Sequence, residues 1–191
     1  MKSLKNIYDE LYAAYYPQNH WDSDYNNCDK GSLHSYIEFY ENYFLNKREQ
    51  ITSFLEIGVQ GGVSMLLWKE YFSNSKICGI DIDFSRTHEN IKNNINLNLI
   101  KHDATKSSVL NLIPSSFDVI IDDGEHSFAS QIASFALLKD KLNKNGTYII
   151  EDIQSYEEAE LLQAMIPTSK IIDLRHNKNR YDDLILIYEN I

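Results

Sequence analysis

The chain has 191 residues, 43% hydrophobic and 24% charged, with a formal net charge of −10. That length and balance describe one ordinary globular unit, and the acidity argues against non-specific binding to nucleic acid, where a basic face is expected. No apolar run is long enough to span a membrane, the N-terminus lacks a signal-peptide core, and two distant cysteines (Cys28 and Cys78) match no metal spacing, so the chain reads as cytoplasmic with reduced thiols.

Residues 3–16 carry Leu4, Ile7, Leu11 and Ala14 on one helical stripe. A loop follows over 17–31, and Ser32 is placed to cap a second helix running to about Leu45, with Leu33, Ile37, Tyr40 and Phe44 on one face. From there strand-like runs recur at 53–57, 76–80, 97–101, 117–121, 147–150, 170–174 and 184–188. Helical stretches separate the first six, for example 63–72, 128–142 and 156–165. Alternation of this kind implies parallel strands joined by right-handed crossovers. The polar loop 175–183 leaves no room for a crossover helix, so the last two strands are expected to be antiparallel. The expected fold is α/β: a doubly wound, mostly parallel seven-stranded sheet with a C-terminal antiparallel hairpin. Residues 1–50 form a helical cap and 51–191 the Rossmann-like part of a single compact domain.

Two apolar runs end abruptly in acid. One reads Phe117-Asp118-Val119-Ile120-Ile121-Asp122-Asp123-Gly124-Glu125-His126; the other reads Tyr148-Ile149-Ile150-Glu151-Asp152. Ligands of open α/β sheets bind at the carboxyl ends of the strands. Asp122, Asp123, Glu151 and Asp152 should therefore share one edge, with His126 just beyond. A divalent cation is the simplest neutraliser of such a cluster, and a neighbouring imidazole is a natural proton acceptor.

The first strand leads into Glu56-Ile57-Gly58-Val59-Gln60-Gly61-Gly62-Val63-Ser64. Its glycines permit a tight turn and close ligand approach, but Gln60 stands where a dinucleotide fingerprint needs its second glycine, which weakens a dehydrogenase reading. Glu56 can receive a cationic or hydroxyl-bearing ligand. Asp81, at the tip of the second strand, can accept from ribose hydroxyls, and Asp103, after the third, can accept from an adenine amino group. Three acids on successive tips suit a neutral-to-cationic nucleoside, and S-adenosylmethionine meets that description.

The segments Asp29-Lys30-Gly31-Ser32-Leu33-His34-Ser35-Tyr36, Leu55-Glu56-Ile57-Gly58-Val59, Gly79-Ile80-Asp81-Ile82, Ile121-Asp122-Asp123-Gly124-Glu125-His126 and Ile150-Glu151-Asp152 together resemble the class I S-adenosylmethionine-dependent methyltransferases. The closer resemblance is to metal-dependent sugar O-methyltransferases of the macrocin and mycinamicin type. It implies that Asp123, Glu151 and Asp152 hold Mg²⁺, that His126 is the general base, and that Glu56, Gly58, Asp81 and Asp103 line the cofactor site. Gly61, Gly62, Ser64, Ala104 and Asp122 complete the expected cofactor-binding set. Lys30, His34 and Tyr36 match that family's N-terminal motif and would lie over cofactor or substrate. Glu125 departs from it, standing where Ser is usual, and the macrolide enzymes' large additional N-terminal domain is not expected here.

The expected activity is Mg-assisted O-methylation of a sugar or sugar-like small molecule, with a nucleotide-linked sugar accommodated if the basic stretch Arg175–Arg180 grips an anionic arm. Rival readings are methylation of a phenol, a catechol or a phosphorus-containing acid, and a binding module that keeps S-adenosylmethionine without the chemistry. The tyrosines of the first two helices are read as a packing face that could also serve as a lid or a homo-oligomer surface.

Overall fold

The computed structural model describes residues 1–16, 28–114 and 116–191. The expected loop over 17–31 falls mainly on residues 17–27, outside the described residues. Seven strands form one sheet: β1 (Ser53–Ile57), β2 (Lys76–Asp81), β3 (Leu97–Lys101), β4 (Phe117–Asp122), β5 (Leu142–Ile150), β6 (Lys170–Asp173) and β7 (Leu184–Glu189). Their order is β3-β2-β1-β4-β5-β7-β6. The first five run parallel, and β7 lies antiparallel between β5 and β6, as the short final loop requires.

The helices are α1 (Leu4–Tyr15), α2 (Tyr36–Phe44), α3 (Val63–Tyr71), α4 (Glu89–Lys92), α5 (Phe128–Leu138), α6 (Tyr156–Met165) and α7 (Arg175–Lys178). Ser3 caps α1 by accepting from the Asn6 amide at 3.1 Å. Ser127 and Ser155 do the same for α5 and α6. The second helix is capped at Ser35, three residues later than the expected Ser32. Residues 30–34 instead form turns, closed by the Leu33 and His34 amides on Asp29 O and the Tyr36 amide on Lys30 O. Those turns aim Lys30 and His34 at the sheet edge, which a continuous helix would not do. Two crossovers are also shorter than the alternation suggested. The β2–β3 link carries only the single turn α4, and the β3–β4 link a 3-10 turn, Ser107–Asn111.

Side-chain alternation along the strands explains the apolar runs. Phe54, Ile77, Val119, Ile121, Ile149, Ile185 and Ile187 face α1, α2 and α3 in one core cluster. Leu55, Cys78, Ile80, Ile120, Tyr148, Ile150 and Leu186 face α5 and α6 in the other. Both faces are covered, so most positions along a central strand are apolar, and a polar one such as Glu56 needs a partner. Each apolar side chain fully buried contributes about 1.5–3 kcal/mol.

The chain leaves β1 toward β2 and β3, then returns to place β4 on the other side of β1. The crevice at this reversal is where open sheets bind ligands. Single backbone bonds extend the ladder past the strand ends: the Gly58 amide to Ile80 O, Asp123 to Ile57 O, Glu151 to Asp122 O and His102 to Asp81 O, at 2.9, 2.9, 3.0 and 2.9 Å. They align the tips, so the residues after β1, β2, β3, β4 and β5 share one edge. Gly58 (φ +87°) makes the turn there, and a Cβ on it would meet Asp123 O at 1.9 Å. Only glycine fits both that conformation and that approach.

Candidate active site

A cavity of about 530 Å³ opens along this edge. By strand order, Asp81, Asp103 and Ala104 line it on the side of β2 and β3, and Asp122, Asp123, His126 and Asp152 on the side of β4 and β5; Gly58 stands between them, and Ser64, Asp29 and Lys30 also contribute to the wall. The structure thus brings together most residues marked in the sequence. Glu56, Gly61, Gly62 and Glu151 do not line it.

Three of these have a local cause. Glu56 shares a face with Phe54 and is fully buried under α3, whose Ser64 and Trp68 stand four residues apart on one side. Ser64 Oγ donates to Glu56 Oε2 at 2.7 Å, and Trp68 Nε1 donates to Oε1 at 3.0 Å. The carboxylate expected to receive a ligand is spent inside the protein. Gly62 (φ +88°) starts α3 against Thr87 and Ile91, so it shapes the turn and does not face the cavity. Glu151, expected as a metal ligand, is fully buried and turned to the ammonium of Lys30 and the hydroxyl of Tyr40, both of which bond to it.

Asp81 Oδ2 accepts from the amides of Val59 (2.7 Å) and Gln60 (2.9 Å), fixing the loop after β1. Asp103 accepts from the Thr105 amide (2.9 Å) and hydroxyl (2.6 Å), and these bonds, the hydroxyl's foremost, hold its carboxyl below the usual range. Asp122 is buried at the end of β4, where burial pushes its carboxyl up to about 6 against the opposing hydrogen bonds from Ser134 and Tyr148 (3.2 Å for the latter).

On the β4 and β5 side, ligand atoms of Asp123, His126 and Asp152 all lie within 4.8 Å of one another. His126 Nε2 stands 3.7 Å from Asp152 Oδ2, while its Nδ1 is buried without a hydrogen-bond partner. Gln60, His126 and Asp152 adopt left-handed φ values of 46°, 62° and 53°. For such residues that conformation costs about 1–2 kcal/mol and persists only where surrounding contacts impose it. Tyr36 donates its hydroxyl to Asp152 Oδ1 at 2.5 Å. Burial, and next the charge of Asp123, push the Asp152 carboxyl well above its ordinary range. Burial does the same to Glu151.

This donor set fits a hard divalent cation. Oxygen predominates, Lys30 and Tyr36 each donate to only one oxygen of Asp123 and of Asp152, and His126 Nδ1 is left unpartnered. Mg²⁺ accepts one or two carboxylates and keeps several waters. Asp123 and Asp152 are the carboxylates presented to it; Glu151 would join only on leaving Lys30.

A second layer was not legible as such. His34, Tyr36 and Lys30 stood out only as motif matches, and Tyr40 and Asp183 not at all. His34 Nδ1 bonds Asp183 Oδ1 at 2.7 Å and lies 3.3 Å from Asp152 Oδ1. Asp183 Oδ2 also accepts from the Ser35 amide at 3.2 Å. The faint signal for Asp183 was an acid pair, Asp182-Asp183, directly before the apolar run of β7. The basic stretch Arg175–Arg180 has little charge to spare. Arg175 forks onto Asp173 at 2.9 and 2.7 Å, Arg180 pairs with Asp182 at 2.8 Å, and Lys178 donates to the carbonyls of Gly31, Ser32 and His34. Glu125 accepts from the Ser127 hydroxyl (2.6 Å) just before α5.

Comparison with known proteins agrees with this architecture. A family profile described as "Methyltransferase domain" matches residues 55–153. The 8-demethyl-8-alpha-L-rhamnosyl tetracenomycin-C 2'-O-methyltransferase of Streptomyces olivaceus is 32% identical over 137 residues, covering 66% of this chain and 35% of that protein. The mycinamicin VI 2''-O-methyltransferase of Micromonospora griseorubida is 34% identical over 134 residues, covering 64% of this chain and 32% of that protein. The chain therefore spans about a third of the length of these relatives. Among solved structures, the MycE methyltransferase of the mycinamycin biosynthetic pathway, in complex with Mg and SAH, superposes with a TM-score of 0.67 at 22% identity, over 99% of this chain and 55% of that one. The fold is shared with it. Among the described residues, no helix is long and apolar enough to cross a membrane.

Proposed function

This chain belongs to the methyltransferase-domain family, and from that premise we propose that it moves a methyl group from S-adenosylmethionine to a hydroxyl of a sugar or sugar-like small molecule, assisted by Mg²⁺. The observation that carries the reading is the convergence of Asp123, His126 and Asp152 within 4.8 Å in a cavity that the glycine loop, Asp81 and Asp103 also line. The relatives named for 2'-O- and 2''-O-methylation support a sugar hydroxyl as acceptor.

In this reading Asp81 and Asp103 receive the ribose and adenine of the cofactor, and Gly58 lets its chain pass close to the backbone. S-adenosylmethionine supplies the electrophilic methyl. Asp123 and Asp152 would hold the cation, which would supply a lowered pKa to a nearby hydroxyl. His126 takes the hydroxyl proton at Nε2, and Asp152 Oδ2, 3.7 Å away, stabilises the imidazolium that results. The aligned strand tips fix the two sides of the cavity relative to each other, and that positioning supplies much of the acceleration.

Calorimetry and turnover on the His126→Ala variant test the assignment. S-adenosylmethionine affinity should be unchanged, while turnover of a glycoside acceptor falls by about 10²–10⁴-fold. Turnover near wild type would remove His126 from the reaction. Full turnover after exhaustive chelation would remove the cation, and cofactor binding with no transfer to any hydroxylated acceptor would leave a binding module.

A further inference from the structure

Lys30 is the charged group that this chemistry does not use. Its side chain is fully buried, yet three carboxylates from three strand tips face its ammonium: Asp123 Oδ2 at 2.7 Å, Glu56 Oε1 at 3.5 Å, and Glu151 in direct contact. Three carboxylates gathered around one side-chain nitrogen are the surroundings of a paired ammonium. Two consequences follow from the geometry. Asp123, which stands with Asp152 and His126 around the cation site, already has one oxygen, Oδ2, paired with the Lys30 ammonium at 2.7 Å. Glu151, next in sequence to Asp152, is held back from that site by Lys30 and Tyr40.

An ammonium and a divalent cation bound to one carboxylate repel each other strongly at such range. We propose that Lys30 is a built-in counter-ion that sets the divalent-cation affinity of this site, competing for Asp123 and withholding Glu151. The proposal rests on the divalent-cation reading above. Its position in the turn before α2 also means that the same ammonium fastens the N-terminal segment to the sheet edge, so cation binding and the seating of that segment are coupled through one side chain.

Mn²⁺ titration of the full chain without cofactor, followed by loss of the free-ion electron paramagnetic resonance signal, tests this independently of turnover. Lys30→Met should bind Mn²⁺ at least about tenfold tighter than wild type. Lys30→Arg, which keeps the charge, should stay close to wild type. The double variant Lys30→Met/Glu151→Gln replaces the buried pair as a unit, leaving Glu56 with its Ser64 and Trp68 bonds, and should fold and also bind tighter than wild type. It decides the matter if the single variant does not fold. If Lys30 is merely structural, the Met variants bind Mn²⁺ no better than wild type, which overturns the proposal. The cation reading then still stands, provided Asp123→Asn and Asp152→Asn each abolish wild-type binding. No Mn²⁺ binding by any of these proteins overturns both.

Discussion

Replacing Gly58 by Ala should destabilise the protein and the site together, and Gly62→Ala provides the control. Both glycines have left-handed backbones, at φ +87° and +88°. Each substitution therefore incurs the same conformational cost, about 1–2 kcal/mol. They differ in what the new methyl meets. At position 62 the nearest atoms are side-chain methyls of Ile91 and Thr87, at 2.9 and 3.0 Å, which need to give by only a few tenths of an ångström. At position 58 the methyl would lie 1.9 Å from Asp123 O and 2.7 Å from Asp123 C, and only a backbone shift relieves that overlap. The overlap adds about 1–3 kcal/mol, so Gly58→Ala should lose roughly 2–5 kcal/mol against about 1–2 for Gly62→Ala. Urea denaturation with the m-value held common measures the difference. Because the displaced backbone belongs to Asp123, Mn²⁺ binding should weaken in Gly58→Ala and persist in Gly62→Ala. Equal losses of stability in the two variants would refute the argument that backbone approach, and not conformation alone, fixes this glycine.

Other consequences are open to measurement. Tyr36→Phe removes the hydroxyl that donates to buried Asp152 at 2.5 Å and should lower stability by about 1.5–3 kcal/mol in denaturant unfolding; a loss under about 0.5 kcal/mol would show that water replaces it. Burial pushes the Cys78 thiol up to about 12, so iodoacetamide at pH 8 should leave it unmodified in the native protein and label it once unfolded, as mass spectrometry of the peptide will report. Asp118 accepts from the Thr52 amide (2.7 Å) and Asn143 (2.7 Å); burial raises its carboxyl, but these bonds together win and hold it below the ordinary value. Its contribution is therefore fully present above about pH 4, the unfolded value, and is lost as pH falls through the lower folded value. The stability gap between wild type and Asp118→Asn, measured by denaturation across pH, should close under acid; a gap that persists unchanged would contradict this.

The strands and their polarity were written in the sequence because a parallel sheet covered on both faces imposes a mostly apolar run, and the acid after each run marks the end of the ladder. Phe117 to Asp122 and the run ending at Ile150 needed no partner information to be read. The brevity of the final loop likewise dictated an antiparallel β7. What the runs could not reveal was the fate of each acid at its tip. Glu56 and Glu151 look no different in sequence from Asp81 and Asp152, yet the first two are consumed inside the protein and the others line the cavity. That division depends on residues in other elements: Trp68 on the following helix beneath Glu56, and Lys30 and Tyr40, more than a hundred residues before Glu151. Local pattern reports which face a side chain is on, since backbone periodicity is local. Whether a charge there meets another charge is decided only when distant segments fold onto it, because the energy of a buried ion lies in its partner and not in its neighbours along the chain.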